Sequence, residues 1–185
     1  NKYLGLDSKE LLEKINNNLD NEIIEEIYVN EVEINVDYLL KEKFVVDDVD
    51  KIEFFTKKTS ILIKETLKEA NKYLPKLREG FNDTVRLIRN DEFSKGHEKF
   101  EQCLKGIKWY IEVLSKVFPL LYGKEEQKSE EIFEKMNIQL KKVLEPMNNN
   151  QYSKMAENIK SDLIVYLDNL ININRDLLKK VEKEK

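Results

Sequence analysis

The chain has 185 residues and a formal net charge of −4, with 41% hydrophobic and 37% charged residues. That size suits one substantial core or one core with a small lobe, and the high charge is typical of long amphipathic helices with solvated outer faces. No run of about 18 apolar residues could span a bilayer, and no basic and then apolar leader opens the chain. We therefore expect a cytoplasmic protein with no membrane partner.

Charge is distributed unevenly along the chain. Residues 1–56 carry 6 Lys and Arg against 15 Asp and Glu, a net charge of −9. Residues 57–185 carry 26 against 21, a net charge of +5. A nucleic-acid-binding domain normally has a clustered basic stripe and a high pI. The mild basic excess therefore predicts no nucleic-acid partner.

The first predicted element is a short helix from about residue 8 to 19. Asp7 and Glu10 have the spacing of a capping box, in which each side chain accepts a hydrogen bond from the other's backbone. Apolar residues then recur on one helical face. The helix should therefore begin immediately after Asp7.

After this helix the apolar period changes to two, which predicts strands. Two alternating runs flank Asn30-Glu31, the predicted two-residue turn of a β-hairpin. Asp37 is predicted to cap a helical turn through YLLKE, and KIEFF at 51–55 is predicted to form a third strand. Residues 1–56 therefore predict a small α/β lobe.

Residues 57–185 predict an antiparallel, up-down four-helix bundle. Apolar residues recur there at spacings of three and four, and short connections make consecutive helices antiparallel neighbours. The fold class is therefore mainly α (α+β). The four predicted helices cover approximately 57–89, 92–122, 126–146 and 151–182.

Three residues mark the boundaries and interruptions of these helices. Pro75 lies inside the first apolar stripe without shifting its phase, so we predict one kinked helix there rather than two. Asp91 is the predicted cap of the second helix. Gly123 suits the left-handed position that follows the end of that helix.

The second helix is apolar around more than half of its circumference. One row faces the bundle, and a second row lies between it and Trp109; the second row consists of Cys103, Gly106, Tyr110, Val113 and Val117. A helix with one solvent-exposed face needs a stripe only somewhat wider than about 100°, so the second row predicts a second neighbour. Glycine costs a helix roughly 1 kcal/mol relative to Ala, so we interpret Gly106 as a point of close packing, and Gly80 likewise.

The sequence lacks the residue patterns of common catalytic and metal sites. His97 is the only histidine, and we interpret it as a hydrogen-bonded core residue; Cys103 is the only cysteine, and we interpret it as a small buried hydrophobe. No Glu-x-x-His pair, phosphate-binding glycine loop or nucleophile elbow occurs. Paired acids such as Glu25-Glu26 lie on polar faces. We therefore expect no catalytic residue, no metal and no cofactor, and predict that the protein is not an enzyme.

Three segments carry a resemblance to a known family: YLPKL at 73–77 followed by Gly80, LKGIKWY at 104–110, and MAENIKSDL at 155–163. They resemble an uncharacterised helical-bundle family of Firmicute bacteria. The resemblance implies a leading strand unit, here IYVNEVEI and KIEFFT, and an acidic residue before the helix glycine, where this chain has Lys105. It implies no activity. The architecture is also similar to small bacterial export chaperones, an analogy of fold alone.

These observations favour a non-enzymatic protein–protein interaction module of chaperone or adaptor type. Its candidate partner surface comprises Gly106, Trp109, Tyr110, Val113 and Val117, with Trp109 and Tyr110 as anchors for a partner helix or segment. The alternative is a homo-oligomeric structural protein, such as a homodimer that uses the same row. A small-molecule binder or an enzyme with a cavity between helices is a less favoured third hypothesis.

Overall fold

The computed structural model describes residues 3, 5–41, 45–123 and 127–183. The chain forms two compact units, residues 1–63 and residues 64–185. Long helices dominate, with one small sheet, so the predicted mainly α (α+β) class is confirmed.

The first unit combines short helices with a three-stranded sheet. Its elements are α1 (Ser8–Asn16), β1 (Glu22–Val29), β2 (Val32–Ile34), α2 (Val36–Lys41), a 3-10 turn (Val46–Asp48) and β3 (Ile52–Lys58). The predicted capping box is confirmed, because the Glu10 amide donates to Asp7 Oδ1 at 2.8 Å and the Asp7 amide donates to Glu10 Oε2 at 3.2 Å. The helix is three residues shorter than the predicted 8–19.

The sheet has the antiparallel order β2-β1-β3. Asn30 and Glu31 connect β1 to β2 with φ angles of 47° and 67°, the two positive values that a type I′ hairpin turn requires. The predicted hairpin and third strand are therefore confirmed. One face of the sheet carries Ile27, which is buried with Leu12 of α1 and Leu39 of α2 in the core of this unit.

The predicted cap of α2 is wrong. The side chain that caps this helix belongs to Asn35, whose Oδ1 accepts a hydrogen bond from the Tyr38 amide at 2.7 Å. Asp37 lies inside the first turn instead, where its negative charge interacts favourably with the positive end of the helix dipole. Asn is as good a capping residue as Asp, and Asn35 lies two positions before Asp37.

The remaining helices follow, with no strand among the described residues between them. They are α3 (Thr59–Arg89), α4 (Phe93–Tyr122), α5 (Gln127–Asn148), α6 (Tyr152–Asn158) and α7 (Ile164–Lys183), with a π-helical turn (Ile159–Leu163) between α6 and α7. α3 begins in the first unit and continues into the second. Pro75 lies inside this single helix, as predicted. The π turn was not predicted, and it interrupts the fourth predicted helix.

Contacts within the second unit set the directions of its helices. Gly106 of α4 lies beside Tyr73 of α3, and Gly96 lies beside Ile88, so α3 and α4 are antiparallel. Tyr166 of α7 donates a hydrogen bond of 2.8 Å to the Ile132 carbonyl of α5, and Lys142 pairs with Asp162 at 2.6 Å; these two helices are therefore antiparallel as well.

The hairpin of α3 and α4 and the hairpin of α5 and α6 have the same type of turn. The Glu92 amide donates to the Leu87 carbonyl at 2.9 Å and the Asp91 amide to the Ile88 carbonyl at 3.1 Å, the two hydrogen bonds of a Schellman motif. The prediction that Asp91 caps α4 is therefore wrong. Asp91 is the residue with φ of 59° in the turn that ends α3. The second hairpin repeats both bonds, from Gln151 to Pro146 at 2.8 Å and from Asn150 to Met147 at 3.1 Å.

The residues at these turns also correspond in sequence. Asn90-Asp91-Glu92-Phe93-Ser94-Lys95 matches Asn149-Asn150-Gln151-Tyr152-Ser153-Lys154 position by position. The two aromatic residues that begin α4 and α6 stack on each other, with Phe93 and Tyr152 ring centroids 4.5 Å apart. The two hairpins are therefore related in structure, in sequence and through a direct contact.

A left-handed residue other than glycine costs free energy, which gives a test of this turn. Asp91→Gly should raise the free energy of unfolding by about 0.5 kcal/mol, because glycine adopts positive φ without a Cβ clash. Urea unfolding followed by circular dichroism measures the change. Asn90→Gly, one residue earlier, is the control and should be destabilising. A loss of stability in Asp91→Gly would contradict the assignment of Asp91 to the end of α3.

Candidate functional site

Gly106 lies where α4 packs closely against α3. A Cβ built at Gly106 would fall 2.9 Å from Leu77 Cδ1 and 3.2 Å from Tyr73 Cε1, and it would overlap the Tyr73 hydroxyl oxygen. Contacts this short are not tolerated by a real side chain without movement of the neighbours. The predicted role of Gly106 in close packing is therefore confirmed, and its neighbour is α3 of the same chain.

Gly80 makes the reciprocal contact from α3. A Cβ at Gly80 would lie 2.7 Å from the sulfur of Cys103 on α4. The thiol is buried, and burial is the largest effect on it, raising the pKa of Cys103 above its usual value. A thiol that resists ionisation is a poor nucleophile. Cys103 therefore serves as the small apolar residue that the sequence predicts.

Tyr73 of α3 and Trp109 of α4 extend the seam between these two helices toward the surface. Their rings meet edge to face, with centroids 5.2 Å apart and an interplanar angle of 81°. This geometry is the favourable one for an aromatic pair. Trp109 is only half-buried, so part of the indole remains accessible to solvent.

Tyr110 connects α4 to α7. Its hydroxyl lies 3.3 Å from Asn174 Oδ1 and 3.4 Å from the Leu170 carbonyl, both on α7, and donates toward them. The Asn174 side-chain amide in turn donates to the Leu67 carbonyl of α3 at 3.0 Å. Both side chains are buried, and burial raises the pKa of Tyr110 above its ordinary value. This buried polar network ties three helices together.

The second apolar row of α4 is almost completely buried. Cys103, Val113 and Val117 expose 4%, 7% and 3% of their surfaces, and Gly106 and Tyr110 are buried as well. The prediction that α4 is covered along this flank is therefore confirmed. Of the five residues predicted to form a partner surface, only Trp109 offers accessible area while the helices stay together.

His97 differs from its prediction. The residue is not a hydrogen-bonded core histidine; its side chain is 44% exposed, and its Nδ1 lies 3.8 Å from Glu101 Oε1 one turn later. Phe93 begins the same stripe and is also partly exposed, so the stripe leaves the core at this end of α4. Among the residues that the structure describes, no three His, Cys, Asp or Glu side chains are grouped so as to hold a metal ion.

The face of the sheet opposite the core carries a second candidate surface, which the sequence analysis missed. This outer sheet face consists of Glu26, Tyr28, Glu33, Glu53 and Phe55, brought together by strand register. The Tyr28 and Phe55 rings meet edge to face with centroids 5.5 Å apart, and Phe55 remains 51% exposed. The alternation of residues around Ile27 was the signal that could have identified this face.

Carboxylates surround this aromatic pair. The Tyr28 hydroxyl donates to Glu26 Oε2 at 3.2 Å, and this hydrogen bond is the main cause of a raised pKa of Tyr28. Glu33 and Glu53 are the cross-strand partners of Tyr28. Lys51 pairs with Glu53 at 2.9 Å, which leaves Glu26 and Glu33 without a cation among the described residues.

These features define a mainly helical protein whose first 63 residues form a small α/β unit. The chain belongs to the DUF8042 family, a domain of unknown function, which matches residues 65–173. The match lies within the second unit and runs from α3 into α7. The predicted resemblance to an uncharacterised family is confirmed to that extent. No curated protein and no solved structure matches the chain, and within the described residues no helix has the length and apolarity needed to cross a lipid bilayer.

Filling the space at Gly106 tests the close packing directly. Gly106→Ala should lower the free energy of unfolding by up to about 2 kcal/mol, because overpacking costs about 1–3 kcal/mol and the gain in helix propensity offsets about 1 kcal/mol of it. Gly106→Leu should cost more. Lys105→Ala, an exposed neighbour, is the control and should change stability by less than about 0.5 kcal/mol. Adding Tyr73→Phe, which removes the overlapped oxygen, should restore part of the loss; no recovery would contradict the contact.

The buried phenol of Tyr110 predicts a pH dependence of stability. The unfolded chain releases this proton near pH 10, whereas the folded chain holds it, so stability should fall above pH 10 by up to about 1.4 kcal/mol per pH unit. Tyr110→Phe should cost about 1–2 kcal/mol at neutral pH through the lost hydrogen bond and should reduce the slope at high pH. Chemical denaturation from pH 7 to 11 measures both. An equal fall of stability with pH in wild type and Tyr110→Phe would contradict this prediction, because it would show that the Tyr110 phenol ionises as easily in the folded chain as in the unfolded chain.

Proposed function

We propose that this protein is a non-enzymatic, cytoplasmic interaction module of adaptor or chaperone type, and that the outer sheet face binds a basic segment of a partner protein. The observation that carries the proposal is the exposed Tyr28 and Phe55 pair among the carboxylates of Glu26, Glu33 and Glu53. Lys and Arg side chains bind both to carboxylates and to aromatic faces.

Exposed apolar side chains are concentrated in the first unit. Seven of the twelve large hydrophobic residues that are exposed in the described part of the chain belong to residues 1–63, about a third of its length. They are Val32, Val36, Tyr38, Leu40, Val45, Phe55 and Ile61. Of these seven, Phe55 lies on the outer sheet face, where its ring contacts that of Tyr28.

Charge selects the kind of partner. Residues 1–63 carry 8 Lys and Arg against 15 Asp and Glu, a net charge of −7. A negative surface accelerates the approach of a positive partner and repels acidic ones. A basic segment with an apolar or aromatic residue is therefore the occupant that fits. Under this proposal Gly106, Tyr110, Val113 and Val117 hold the bundle together and do not touch the partner.

Selection of binding peptides from a random library displayed on phage tests the proposal with the full chain as bait. The enriched peptides should be rich in Lys and Arg, with an apolar or aromatic residue, and their affinity should fall with added salt because exposed charges are screened. Fluorescence anisotropy measures each Kd. Enrichment of neutral or acidic peptides would contradict the assignment.

Single substitutions locate the binding surface. Phe55→Ala should weaken binding of the enriched peptides about tenfold, or about 1.4 kcal/mol, and Glu26→Gln should weaken it less. Val165→Ala removes an equally exposed apolar side chain of the second unit and is the control. Equal affinity of wild type and Phe55→Ala would refute this site. A homodimer in light scattering that Phe55→Ala dissociates would instead support the homo-oligomeric alternative.

A further inference from the structure

A second surface feature, independent of the sheet, lies in the second unit. A cleft of about 300 Å³ opens between the C-terminal part of α3 and the π-helical turn. Its volume is at the lower end of the range for small-molecule sites. The lining residues are Asn82, Val85, Arg86, Arg89 and Asn90 from α3 and the turn after it, and Lys160 from the π turn.

The cleft is positively charged. Three of its six lining residues are cations, and one of them, Arg86, pairs with Asp83, whose Oδ1 lies 2.9 Å from an Arg86 nitrogen. Within the described residues, Arg89 and Lys160 form no salt bridge. Counting the Asp83 carboxylate, the cleft has a net charge of +2. A phosphate monoester carries about −1.5 to −2 at pH 7, so the charges match.

The partial negative charge at the C-terminal end of α3 does not cancel the positive charge of the cleft. The C-terminus of a helix carries a partial negative charge on its unpaired carbonyls, which disfavours an anion. Here the Schellman turn occupies these carbonyls: the amides of Asn90, Asp91 and Glu92 donate to the carbonyls of Arg86, Ile88 and Leu87. Their negative poles are therefore partly compensated by the backbone itself.

The π turn provides the opposite wall of the cleft. π-helical turns insert one residue into a helix and occur frequently at functional sites. The extra residue is visible when the two hairpins are compared. Phe93 corresponds to Tyr152, which lies 59 positions later, and the buried Cys103 corresponds to the buried Leu163, which lies 60 positions later. The offset therefore grows by one residue across the π turn. α4 has no such insertion at the matching place, so the feature that carries Lys160 belongs to one hairpin only.

We propose that this cleft binds the phosphate group of a small phosphorylated molecule or inorganic phosphate itself. The guanidinium groups of Arg86 and Arg89 offer the forked donors that suit phosphate oxygens. Lys160 adds a point charge from the facing element, and the side-chain amides of Asn82 and Asn90 supply neutral donors at the rim. Val85 forms an apolar wall.

Isothermal titration calorimetry of the full chain with inorganic phosphate tests the site. We expect saturable binding of one phosphate per chain, weakened at least about tenfold in the double variant Arg89→Gln/Lys160→Gln. Arg175→Gln/Lys154→Gln removes the same charge from exposed positions outside the cleft and is the matched control, with a Kd within about twofold of wild type. Circular dichroism establishes that both variants are folded.

Four results would overturn the proposal. The first is the absence of heat and of saturation with phosphate, and the second is an equal loss of binding in the control variant, which would indicate non-specific charge attraction. The third is citrate binding as tightly as phosphate, which would remove the assignment of a phosphate group. A loss of thermal stability in Arg89→Gln/Lys160→Gln with unchanged phosphate binding would likewise show that these cations serve the helices alone.

Discussion

The close approach of α3 and α4 at Gly80 and Gly106 is the constraint on which the second unit depends. Each glycine removes a Cβ that would otherwise collide with the facing helix, at Cys103 on one side and at Tyr73 and Leu77 on the other. The short separation places Tyr73 against Trp109 and leaves Tyr110 directed toward α7. The destabilising effect of glycine in a helix, about 1 kcal/mol, is thus offset by tight packing and by the buried network that it permits.

This packing bears directly on function. A row of apolar side chains on a long helix has two uses, contact with the same chain and contact with a partner, and sequence alone does not distinguish them. Burial of Cys103, Val113 and Val117 assigns the row to the chain's own core. Exposed apolar and charged groups lie elsewhere, on the acidic outer sheet face and in the cationic cleft beside the π turn. We propose a peptide-binding role for the first and a phosphate-binding role for the second.

The sequence predicted features that local physics determines. Helical periodicity placed the long helices to within a few residues, the capping box of Asp7 and Glu10 placed α1, and the change of period placed the hairpin. Asp91 and Asp37 were assigned wrongly because short polar residues suit both ends of a helix and several turn positions. His97 followed an apolar stripe that reaches the surface at the end of α4. The π turn and the outer sheet face depend on tertiary packing and strand register, which periodicity does not specify.

The seam between α3 and α4 is closed by these contacts, and Cys103 allows its closure to be measured directly. Because Cys103 is the only cysteine, the reaction of the native protein with Ellman's reagent reports on this one position without mutation. We expect labelling far slower than that of the urea-unfolded chain, at a rate set by opening of the helices. Native Cys103 that reacts as fast as it does in the unfolded chain would contradict the account.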